Sequence, residues 1–157
     1  LEAVKVLKEH ENWALVIVGT VDKSDFLAEL KTISKKHSIE NQVYFVDETP
    51  DIISYYQASK IVIVPSYSEG FSLVTAEAMA CGCSVIATKN VGVHSALITH
   101  SKNGYLFEAG NSIQLKSLIE KSITNEIPLL GTEARNEILE NWSAKKEAAN
   151  LMAVYKL

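Results

Sequence analysis

The chain has 157 residues, 47% hydrophobic and 22% charged, the make-up of one folded unit with a core of its own. A net charge of −4, with its lysines and the lone Arg135 scattered rather than clustered, argues against nucleic acid as the main partner. No apolar run reaches the roughly 20 residues of a membrane-spanning helix, and no basic-then-apolar leader opens the chain.

The chain opens on "LEAVKVLKEH", where Leu1, Val4 and Leu7 recur at helical spacing between charged residues, so an amphipathic helix is already under way. "ALVIVG", Ala14 to Gly19, is short, continuous and β-branched, as expected of a parallel strand buried on both faces. A helical pattern from about Ser24 places Phe26, Leu27, Leu30 and Ile33 on one side, and "QVYFV" to Val46 reads as the next strand. There follow a short helix near Ile52 to Ala58, the strand "IVIVP", a helix from Ser72 to Cys81, the strand "SVIAT", another short helix and the strand "GYLF". Helices are expected at Ile113 to Ile123, Thr132 to Leu139 and Ser143 to Tyr155. Strands alternating with helices at this pitch predict right-handed crossovers and an α/β, doubly wound parallel sheet of Rossmann-like type.

Cys81 and Cys83 fit neither a metal knuckle nor a mutual bridge; they are expected to pack as small apolar groups in a reducing, cytoplasmic setting. No Gly-x-Gly-x-x-Gly fingerprint, P-loop, Asp-x-Asp pair or Gly-x-Ser-x-Gly elbow occurs, so no cofactor and no metal are expected. His94 and His100 flank a short helix, where surface histidines without a role are the commoner case.

Ligands of such sheets sit beyond the carboxyl ends of the strands. There lies "PSYSEGFSLVTAEAMACG", Pro65 to Gly82, in which Ser72 is expected to cap the helix and the amides around Phe71 to Val74 to face the mouth. Helix amides favour an anion such as phosphate, and Gly70 admits a close approach. The carboxylates Glu69 and Glu77 would repel phosphate but accept hydrogen bonds from sugar hydroxyls, so a sugar on each side of a diphosphate meets all three demands. On spacing alone a solvated loop charge and an exposed helix residue is the commoner explanation of the two glutamates.

"PSYSEGFSLVTAEAMACGCSVIAT" resembles the signature of the group one, retaining, GT-B glycosyltransferases, with Glu69 and Glu77 as their paired glutamates. "LVIVG", "VYFVD", "NGYLFEAGN" and "NWSAKKEAANLMAVYK" resemble segments of that family's C-terminal, donor-binding half. The resemblance implies a nucleoside-diphosphate sugar as donor and a glycan or lipid-linked acceptor, often in bacterial surface polysaccharide synthesis. It implies Glu69 as the catalytic-site carboxylate on the donor sugar and Glu77 on the ribose. Gly70, Phe71, Ser72 and Leu73 would offer amides to sugar and diphosphate, and Gly19 and Val46 would complete the donor site, Val46 near the base.

Two departures stand out. Where the family reads Gly-Gly-Ile-Pro-Glu, this chain has Gly92, Val93, His94, Ser95 and Ala96. The family's first, central strand and its acceptor-binding half should precede Leu1. Residues 1–157 are therefore expected to be a truncated donor-binding domain, inactive alone, with two unpaired inner edges and poor stability. Membrane association, where it occurs, would use the absent half. A non-catalytic sugar-nucleotide binding module and a sugar-nucleotide epimerase or a phosphorylase of the same architecture are the alternatives.

Overall fold

The computed structural model describes residues 2–20, 24–147 and 152, with Ser24 and Asp25 in backbone only. Two compact units form, Leu1–Ile52 with Asn111–Pro128, and Ile53–Gly110 with Leu129–Leu157.

In the first unit the opening amphipathic stretch winds as a 3-10 helix, Glu2–Glu9, and buries Ala3, Val4, Val6 and Leu7. It packs on the helix Ser112–Ile123, whose Leu115, Ile119 and Ile123 face inward. The carbonyls that follow it are met by one side chain: Gln42 Nε2 donates to the carbonyls of Leu7, His10 and Trp13 at 2.9, 3.1 and 3.0 Å. Strands β1 (Leu15–Val18) and β2 (Val43–Val46) run parallel, Leu15 opposite Val43. Helix α1 (Ser24–Lys36) makes the crossover and ends at Ser38, which takes a left-handed φ of 56°.

In the second unit, helix α2 (Ile52–Ala58) leads to β3 (Ile61–Val64), α3 (Leu73–Ala80), β4 (Ser84–Thr88), α4 (His94–Leu97) and β5 (Tyr105–Phe107). With the Ser112–Ile123 helix as α5, the last long element is α6 (Gly131–Asn141). The three strands are parallel in the order β3-β4-β5. Helix α3 packs on β3, β4 and α6, and Ala78, Met79, Val85, Ile86 and Ala134 are wholly enclosed. Helix α6 starts on a close backbone approach, since a Cβ on Gly131 would lie 2.0 Å from the Gly82 carbonyl oxygen. Its Arg135 Nη1 donates to the Ala80 carbonyl at 2.6 Å, placing the chain's one arginine on the negative end of α3.

The fold class is the expected one, strands alternating with helices and every strand pair parallel. Hydrogen bonding divides the five strands into β1–β2 and β3–β4–β5, so β1 and β3 each pair on one side only among the described residues. The helix expected at Ser143 to Tyr155 is present at 144–147; residues 148–151 and 153–157 lie outside the described residues.

Candidate functional site

The loop from β3 to α3 is held from two sides. Thr88, at the end of β4, donates its hydroxyl to the Ser66 carbonyl at 2.8 Å, and the Ser66 hydroxyl donates to Glu69 Oε1 at 2.5 Å. A bond to a carboxylate is shorter and stronger than one between neutral groups, so Glu69 is a positioned side chain rather than a free loop charge. Gly92, at φ 52°, presses on the same turn: a Cβ there would stand 2.7 Å from the Gly70 carbonyl oxygen and 2.9 Å from Glu69 Cβ. The loop that departs from the family pattern is thus the wall behind Glu69 and Gly70.

Ser72 occupies the N-cap position of α3, but its hydroxyl does not cap the helix. The expected role is corrected by a competitor the sequence did not reveal. Ser72 Oγ lies 2.8 Å from His94 Nε2 and 3.0 Å from Thr75 Oγ1, and its backbone is left-handed at φ 42°. The Ser72 carbonyl accepts from the Thr75 and Ala76 amides at 3.1 and 3.5 Å. The Leu73 and Val74 amides make no hydrogen bond within the described residues, and a helix start of this kind is a ready anion site. His94 is no surface histidine either, being 0% exposed.

Glu77 is half-buried rather than solvated, because the Tyr56 hydroxyl on α2 donates to its Oε2 at 3.2 Å. Burial, and then the charge of Glu77, push the Tyr56 phenol up to about 12, so it remains a donor at any physiological pH. One carboxylate oxygen is thereby engaged and Oε1 is left for another partner. Phe71 is exposed beside Trp142, ring centroids 6.2 Å apart. The second unit therefore carries Glu69, Gly70, Phe71, Ser72, Leu73 and Glu77 along one loop and one helix start.

Gly19 and Val46 belong to the first unit. The Gly19 amide donates to the Val46 carbonyl at 3.0 Å, and both line a cavity of about 680 Å³ beside β1, β2 and α1. Its walls are mostly apolar, with Ile17, Phe26 and Phe45 among them, and Asp47 stands in its lining. Nearby, Thr20 donates its hydroxyl to Glu48 Oε2 at 2.9 Å.

Sequence reasoning missed Tyr56 and Ser66, and it set His94 beside the site without preferring a role for it. For His94 there was a signal, since "VGVHSALI" sets the ring among apolar residues, of which Val91, Leu97 and Ile98 are buried. For Tyr56 there was none: "SYY" does not say which ring turns inward. Among the described residues no group of three or more His, Cys, Asp or Glu side chains is placed to hold a metal ion. No described helix is long and apolar enough to cross a membrane.

The family model for group 1 glycosyl transferases matches residues 1–145. The chain is 31% identical over 140 residues to an uncharacterized glycosyltransferase of Haemophilus influenzae, covering 88% of this chain and 39% of that protein. It is 28% identical over 156 residues to the lipopolysaccharide core biosynthesis mannosyltransferase LpcC of Rhizobium leguminosarum, covering 97% of this chain and 44% of that one. Among solved structures it is similar to the C-terminal domain of the LpcC group 1 glycosyl transferase from Francisella tularensis. That match has 31% identity and a TM-score of 0.82, and covers 91% of this chain and 77% of that domain. The chain spans less than half the length of the two curated relatives.

Proposed function

Since the chain belongs to the group 1 glycosyl transferases, we propose that it is the donor-binding half of a retaining enzyme that takes a nucleoside-diphosphate sugar. The observation that carries the reading is the start of α3, where two unpartnered amides stand between two carboxylates that are each oriented by a hydroxyl donor. Amides and helix dipole suit the diphosphate, Glu69 the hydroxyls of the transferred sugar, and Glu77 Oε1 the ribose.

In the transfer the bond from anomeric carbon to diphosphate oxygen breaks, and the acceptor hydroxyl oxygen bonds to that carbon from the same face. The hydroxyl proton passes to the departing phosphate oxygen. The amides of Leu73 and Val74 stabilise the charge that develops on the leaving group. The reading takes no metal and no cofactor. The name of the Rhizobium leguminosarum relative, a lipopolysaccharide core biosynthesis mannosyltransferase, supports a glycan or lipid-linked acceptor in surface polysaccharide synthesis. We assign the work to the cytoplasm, where the two free thiols stay reduced.

The test is hydrolysis and transfer by the full-length protein on UDP-, GDP- and ADP-sugars, with Glu69→Gln and Glu77→Gln alongside. Turnover of one donor, lost by about 100-fold or more in Glu69→Gln and weakened mainly in KM in Glu77→Gln, is the expected result. Binding without turnover would make the unit a sugar-nucleotide binding module instead.

A further inference from the structure

We infer that His94 is a positioning residue for the diphosphate: it holds Ser72 in the left-handed turn and takes up the hydroxyl that would otherwise cap α3. The inference rests on the donor reading above and adds a residue from α4 to it.

The direction of each bond follows from its chemistry. His94 Nδ1 is 2.8 Å from the Thr88 carbonyl oxygen, which only accepts, so Nδ1 carries the hydrogen. In the neutral ring Nε2 is then an acceptor, and the Ser72 hydroxyl donates to it. With the hydrogen of Ser72 spent, Thr75 Oγ1 must be the donor in the Ser72–Thr75 pair. The Thr88 hydroxyl, meanwhile, donates to the Ser66 carbonyl, and Ser66 orients Glu69. Both arms of the site thus hang from one residue at the end of β4, its carbonyl fixing the helix start through His94 and its hydroxyl fixing the carboxylate loop.

Thr88, His94 and Thr75 are wholly buried and Ser72 nearly so, at 5% exposure. A buried polar chain keeps its arrangement only while every member is satisfied. A serine at this position ordinarily turns its oxygen onto the first helical amides, and that would block an anion. His94 turns the oxygen away, and the left-handed backbone of Ser72 follows from the same pull.

The test uses the full-length protein and titration with UDP, GDP and ADP and with uridine, guanosine and adenosine. In His94→Leu the affinity for the nucleoside diphosphate that binds should fall about 10-fold, while its nucleoside keeps its affinity. Ser72→Gly retains the left-handed turn and has no hydroxyl to cap the helix, so it should keep the diphosphate affinity, and the double variant should recover what His94→Leu alone loses. Should His94→Leu fail to fold, Ser72→Ala, whose Cβ disfavours the left-handed turn once the bond to His94 is gone, carries the comparison: it should lose diphosphate affinity selectively where Ser72→Gly does not. Ring nitrogen chemical shifts should report hydrogen on Nδ1. In His94→Leu, equal loss of diphosphate and nucleoside or no loss of either, a double variant that recovers nothing, or hydrogen on Nε2 alone would each overturn the inference. A wild-type protein that binds none of the six compounds would overturn the donor reading itself, and the inference with it.

Discussion

In the second unit β4 is buried at all five positions and β5 at all three, whereas in the first unit β1 has no fully buried position and β2 only Val43. All four strands are apolar runs of the same kind in sequence. The difference lies in their neighbours: β4 is flanked by a strand on each side and covered by α3 and α6, while among the described residues β1 and β2 pair as strands only with each other and α1 borders an open cavity beside them. A two-stranded sheet is marginal in water. An apolar run therefore records that a strand seeks cover on its faces, and says nothing of whether its own unit supplies it. Val16, Phe26 and Tyr44 remain about half exposed in the first unit as a result.

The sharpest way to break this contrast is at the second unit's tightest packing. Gly131→Ala would force a Cβ against the Gly82 carbonyl, with no side chain to yield. It should cost about 3 kcal/mol or more, read as lost hydrogen-exchange protection in β4 and β5 with the first unit little changed. Equal loss in both units would mean that they fold as one. Next in size, Gly92→Ala should lower transfer by the full-length enzyme about 100-fold, because the turn carrying Glu69 must move; an unchanged rate would free the carboxylate loop from its wall.

In the first unit, Gln42→Ala strips three carbonyls of their shared donor and should destabilise that unit by about 1–2 kcal/mol in denaturant titration, leaving donor-sugar turnover chemistry intact. The smallest effect is on pH. Burial raises Cys83 from 9.0 to about 11 and, with the Glu77 charge, Tyr56 from 10.0 to about 12. Both hold their proton more tightly folded than unfolded, so the stability they contribute is whole below the ordinary 9.0 and is lost as pH climbs through 11 and 12. Alkaline melting curves should show that decline, and Tyr56→Phe with Cys83→Ala should flatten it.

All five strands, and the helices between them, were legible because β-branched runs and helical periods are local signals. The opening helix was seen but not its 3-10 winding, since the same spacing suits both. At the site, Glu69 and Glu77 were visible as a spaced pair in a strand-to-helix turn. Their partners Ser66 and Tyr56 were not, because those meetings depend on how α2 and the loop lie in space. Ser72 was misread for the same reason. A serine before a helix is a cap by local rules, and only the buried ring of His94, more than twenty residues on, competes for its hydroxyl.

The order in which the chain visits its two units sets how it must be made. The first unit takes the chain up to Ile52 and resumes only at Asn111; the second is interrupted in turn and resumes at Leu129. During synthesis neither unit has its whole core when its first strands emerge, since Leu115 and Ile119 of the one and Ala134 and Ile138 of the other follow those strands by tens of residues. At about 5–20 residues per second, the early strands wait several seconds on the ribosome for the helices that cover them. For that interval the edges of those strands are open to pairing with another chain, the route by which slowly completed sheets misassemble.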